Sequence, residues 1–137
     1  MSTNYYIRLK GREKPLHIGK SSIGWAFSLH YIPGILENLD QWKDYINNKD
    51  NIVYNEYQQK VSVEELLDTI TKRGYKGDTD NTYKPAASFM TKNEINEFEI
   101  DNHAVYDSNI GLWRQRAYFV VSNPPNETYD IIEGDFS

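Results

Sequence analysis

The sequence predicts an α+β fold, a largely antiparallel β-sheet with two main helices packed on one side. Three observations predict it. Apolar residues alternate with period two from Leu16 to Tyr31, on either side of a Gly-containing turn. Two segments, about 39–48 and 62–73, change to a helical period behind capping-box patterns. The last third returns to short aromatic and β-branched runs broken by Asn123-Pro-Pro-Asn126. A chain of 137 residues is long enough to bury a core without staples, and a single domain, 1–137, is expected.

Asn4 to Lys10 reads as the first strand, with Tyr5, Ile7 and Leu9 on one face and Tyr6, Arg8 and Lys10 on the other. Gly11 to Pro15 turns the chain into a hairpin whose connection is Ser21-Ser22-Ile23-Gly24. In that register Lys20 faces Trp25, Ile18 faces Phe27 and Leu16 faces Leu29, which puts these apolar residues and Tyr31 on one core face. Trp25 is thereby assigned to packing. Pro33-Gly34 breaks the strand, and Asn38 with Gln41 opens a helix whose apolar face is Leu39, Trp42, Tyr45 and Ile46. Asn51 to Tyr57 reads as a short strand. Ser62 and Glu65 open the second helix, Val61 and Leu66 form a hydrophobic staple, and Gly74 ends it after Lys72 and Arg73, both read as surface charges. The stretch from Gly74 to Pro85 is a long polar loop of the kind that is functional or mobile. Thr91 and Glu94 open a short helix to about Phe98, and Trp113, Tyr118–Val121 and Tyr129–Ile132 mark two or three further strands.

The hairpin's second face carries His17, Gly19, Ala26, Ser28 and His30. His17 lies diagonal to His30, roughly 7–8 Å away, close enough to share an anion or a ring. The bland alternative is an ordinary solvated outer face. Gly19-Lys20-Ser21 is not a phosphate-binding P-loop, because Lys14 stands where that motif needs its first Gly and a strand follows in place of a helix. Lys20, Ser21 and Ser22 in a tight turn still offer a cation, two hydroxyls and backbone N–H groups to a phosphate.

Composition excludes several classes. Cys is absent, which removes disulfides, thiol catalysis and Cys-based zinc sites, and three scattered His lack any metal-ligand spacing, so no metal or cofactor is expected. Asp78 and Asp80 lack the remaining spacing of a calcium loop. No apolar run is long enough to span a bilayer and no signal-peptide core is present, so a cytoplasmic protein is expected. Residues 1–20 carry five Lys or Arg against one acid, whereas residues 93–137 sum to −7. That polarity argues against general nucleic-acid binding and leaves room for a small anion near the basic hairpin.

Three segments together resemble a family of short, uncharacterised proteins of tailed bacteriophages and prophages. They are Thr3-Asn4-Tyr5-Tyr6, His17-Ile-Gly-Lys-Ser-Ser22 with Gly24-Trp25-x-Phe27-Ser-Leu-His30, and Asp130-x-Ile-x-Gly134-Asp-Phe-Ser137. The family's Cys-x-x-Cys-like element has no counterpart in Arg8 to Pro15, so no metal role is carried over. The resemblance implies a phage setting and the cytoplasm of an infected bacterial host, but no reaction. By analogy with phage sponges, the expected function is to sequester a cyclic nucleotide or ADP-ribose-type signal. His17, Lys20, Ser21, Ser22 and His30 would face the phosphate, Trp113 or an exposed Tyr would stack on the base, and Arg114 would add a bidentate clamp. A homo-oligomer enclosing the ligand is expected. Two alternatives stay open. One is a metal-independent phosphodiesterase with His17 and His30 as acid and base and Lys20 stabilising charge. The other is an acidic inhibitor of a host protein that uses Asp101, Asp107, Glu127, Asp130, Glu133 and Asp135.

Overall fold

A computed structural model describes residues 2–136; Ser137, the end of the C-terminal motif, lies outside the described residues. The chain runs β1 (Ser2–Arg8), β2 (Leu16–Ser22), β3 (Phe27–Tyr31), α1 (Leu39–Ile46), β4 (Ile52–Asn55), α2 (Val63–Thr71), α3 (Lys92–Asn102), β5 (Ala104–Asp107), β6 (Leu112–Gln115), β7 (Val120–Ser122) and β8 (Tyr129–Glu133). Six strands form one sheet in the order β4-β1-β2-β3-β8-β7, and β5 and β6 form a separate hairpin. Every pairing within the large sheet is antiparallel except β3 with β8. This is the α+β architecture the sequence predicts.

Alternation puts Ile7, Phe27 and Leu29 on one face of the sheet, where α1 and α2 cover them with Leu39, Trp42, Ile46, Leu66 and Ile70. Both helices start as expected: the Asn38 side chain accepts from the Gln41 backbone N–H, and Ser62 Oγ accepts from that of Glu65. The Gln41 side chain returns its bond to the backbone N–H of Glu37 rather than to Asn38. α3 runs on to Asn102, four residues beyond the expected end at Phe98, behind a complete Thr91–Glu94 capping box. It buries no residue fully; Ile95 and Phe98 pack into a second cluster with Trp25, Met90, Tyr106 and Trp113.

The hairpin register differs from the one the sequence suggests. Lys20 pairs with Ser28, not Trp25, and Gly19 pairs with Leu29. Trp25 leaves the strand to join the second cluster, its neighbours bridged to β6 by Trp113 N–H to Gly24 O and Ala26 N–H to Trp113 O, both 2.9 Å. The connection is therefore Ile23 to Ala26. An odd shift of this kind would put His17 and His30 on opposite faces. A bulge in β2 restores them: Tyr5 pairs with Gly19 while Tyr6 pairs with His17, leaving Ile18 as the extra residue. The changed register also puts Gly19 on the core face under the Phe27 ring, where a Cβ would lie 2.4 Å from a ring carbon and 2.2 Å from the Ser28 carbonyl oxygen.

Arg73 is not the surface charge its place at a helix end suggests. Its guanidinium reaches across to the hairpin, donating to Trp25 O at 2.9 Å, Ser21 Oγ at 2.7 Å and Ser22 O at 2.7 Å. The long polar loop is also packed: Tyr83 Oη donates to Gly111 O, and Tyr75 and Tyr83 meet edge to face.

Candidate functional site

The second face of the sheet is divided in two. Toward one end the β5–β6 hairpin and α3 cover it, tied down by Gln115 Nε2 donating to Ser28 Oγ and by Arg114. Toward the other, a row of rings crosses the strands from β4 to β3. Tyr54 stacks on Tyr6 at 5.8 Å, Tyr6 lies 5.3 Å from His17, and the imidazoles of His17 and His30 are 5.4 Å apart. The two histidines converge, as their shared face requires.

Their hydrogen bonds set their tautomers. His17 Nε2–H donates to Asn4 Oδ1 at 2.8 Å, and Asn4 is held by its own backbone N–H donating to Glu56. His30 Nδ1–H donates to the His17 carbonyl at 2.9 Å, leaving Nε2 as the ring's acceptor in the neutral form. Phe136 packs edge-on against both rings, at 5.0 and 5.2 Å. Gly134, with φ +93°, makes the turn after β8 that brings this ring back over the sheet. Burial and the neighbouring His30 lower the His17 pKa from 6.5 to about 4.

A consequence follows for acid stability. The unfolded chain takes a proton on His17 near pH 6.5, whereas the folded chain takes it only near pH 4. Folding free energy should be constant above about pH 6.5 on this account and fall as the pH drops toward 4. Urea midpoints measured across that window should lose this component in His17→Gln. An unchanged profile would mean that His17 is not held neutral.

Phe136 also closes one side of a cleft of about 480 Å³ lined by Tyr118, Phe119, Glu133, Gly134 and Asp135. Tyr118 is 100 % exposed. Asp135 is close enough to act on His17 and Tyr6 electrostatically, so the cleft and the imidazole pair adjoin.

Two expected ligand residues are not available to a ligand. Trp113 is 4 % exposed and packs against Phe98 at 4.2 Å, because β6 turns it into the second cluster. Arg114 is 3 % exposed, with Nε on Asp107 and Nη1 on Asp130, both at 2.8 Å, and Nη2 on the carbonyls of Pro124 and Glu127. It is a structural cation. Arg73 donates to Ser21 Oγ and to the Ser22 carbonyl, which ties the expected phosphate turn to the end of α2. His17, His30 and Lys20 remain on the open face. Asp107 and Asp130, two of the six acids of the inhibitor alternative, are held by Arg114.

Asn4, Tyr6 and Phe136 join the site although no sequence motif points to them as ligand residues. Tyr6 was legible in outline, since alternation along β1 puts it opposite the core residues Tyr5 and Ile7. Phe136 was not, because its contact with the imidazoles depends on a turn after the last strand. Among the described residues no cluster of His, Asp or Glu has metal-binding geometry, and no helix is long and apolar enough to cross a membrane. Comparison with family models, curated proteins and solved structures yields no match.

Proposed function

We propose that the protein binds and sequesters a small phosphorylated nucleotide signal, such as a cyclic nucleotide or an ADP-ribose derivative, without cleaving it. The observation that carries this reading is the Phe136 ring, shared between the imidazole pair and the aromatic cleft. A base would enter between Tyr118 and Phe136, since aromatic faces stack on any base. Its phosphate would lie outside the cleft along the polar face, toward Lys20. The setting we propose, an accessory anti-defence protein of a tailed phage in the host cytoplasm, rests on the motif resemblance. A homo-oligomer belongs to the same reading, with a neighbouring protomer covering Tyr118.

The hydrolytic alternative is weaker on this geometry. General acid–base cleavage needs one imidazole protonated and the other neutral. A His17 pKa near 4 makes it a weak base, and Phe136 packs edge-on against both rings where a substrate would have to approach them.

Native mass spectrometry of the protein mixed with cyclic dinucleotides, cyclic mononucleotides and ADP-ribose tests the reading. One of these should give a stoichiometric adduct, released unchanged on heating and weakened in Lys20→Ala. If all three classes leave the protein bare, sequestration is wrong; a cleaved product would move the protein to the hydrolases.

A further inference from the structure

We infer that the cleft selects guanine over adenine, with Glu133 and Asp135 reading the donor edge of the base. The inference rests on the nucleotide-binding reading above and narrows it by naming the ligand's base, which favours a guanine cyclic nucleotide over an ADP-ribose derivative. The cleft joins two features that pull against each other for a phosphorylated ligand. Its walls are three aromatic rings, Tyr118, Phe119 and Phe136, and among the described residues its charged lining residues are two acids that bracket Gly134. If the phosphate entered the cleft, those carboxylates would repel it. If the base enters, they become recognition groups.

An ionised carboxylate only accepts hydrogen bonds, and its two oxygens accept from two donors side by side. Guanine offers that pair on its Watson–Crick edge, N1–H beside the N2 amine. Adenine presents a ring lone pair next to its amine, which would set a lone pair against a carboxylate oxygen. The stacking rings cannot make this distinction, because every base has an aromatic face. Selectivity therefore falls to Glu133 and Asp135.

Isothermal titration with GMP, IMP and AMP tests this, using wild type, E133Q and D135N. GMP should bind at least about tenfold tighter than AMP, the usual discrimination of a paired hydrogen-bond contact. IMP, which keeps N1–H and lacks the amine, should fall between them. At least one of the two substitutions should weaken GMP to the level of AMP. Both residues are exposed, so unchanged thermal midpoints will show that the variants are folded. Equal affinity for GMP and AMP in the wild type would overturn base selection and leave sequestration standing. So would a rise in affinity for all three nucleotides in E133Q and D135N, because that is the signature of acids that merely repel phosphate. If none of the three nucleotides binds and the cyclic and ADP-ribose ligands also fail, the sequestration reading falls and takes this inference with it.

Discussion

Replacing Arg114 with methionine should lower stability by about 3–5 kcal/mol at neutral pH, read from urea unfolding midpoints, because it leaves a buried carboxylate without its cation. Asp130 is 0 % exposed and accepts from Arg114 Nη1 and Asn123 Nδ2, both at 2.8 Å, and from the Gln115 backbone N–H at 3.1 Å. Arg114 in turn joins β6 to β8, to Asp107 and to the 124–127 turn. The sign of the pH dependence is set by Asp130. Burial already raises its pKa above the ordinary 3.8, against the lowering pull of Asn123 and Arg114. Without Arg114 that pKa rises further, and the folded state's preference for the proton over the unfolded chain grows. The deficit of Arg114→Met should accordingly shrink as the pH falls through the raised value toward 3.8. Adding Asp130→Asn should restore most of the loss at neutral pH. A deficit that ignores both pH and the second substitution would assign the effect to lost packing.

The same residue shows where sequence reasoning runs out. Period-two alternation located β1, β2 and β3, an aromatic and β-branched run located β8, and capping patterns at Asn38, Ser62 and Thr91 located α1, α2 and α3, because these signals are local. Whether Arg114 faces solvent or the interior is not local. It depends on Asp107, Asp130 and the Pro124 carbonyl meeting it from three other segments. Trp113 was misplaced for the same reason, since Phe98 and Tyr106, which bury it, come from α3 and β5. The pairing of His17 with His30 was legible despite a wrong register. Two errors of parity cancelled, the shift in the hairpin connection and the bulge at Ile18, and the second leaves no clear mark in the sequence.

Trp42→Ala should cost about 3–5 kcal/mol, the usual penalty for removing a fully buried aromatic side chain. Trp42→Phe separates volume from hydrogen bonding and bears on the site. The Trp42 indole N–H donates to the His30 carbonyl at 2.8 Å from beneath the sheet, while the His30 ring donates to the His17 carbonyl above it. Trp42, His30, His17 and Asn4 thus form one chain of hydrogen bonds through the sheet from core to open face. Phenylalanine keeps most of the packing and removes the indole donor from the His30 carbonyl, which should cost about 1 kcal/mol. If the indole bond helps hold β3 where the imidazoles meet, the loss will loosen the packing of His17 under Phe136. Its pKa should then climb from about 4 toward 6.5, which histidine ring-proton NMR shifts followed against pH will register. Loss of stability with no change in the His17 titration would show that the core and the imidazole pair are held independently.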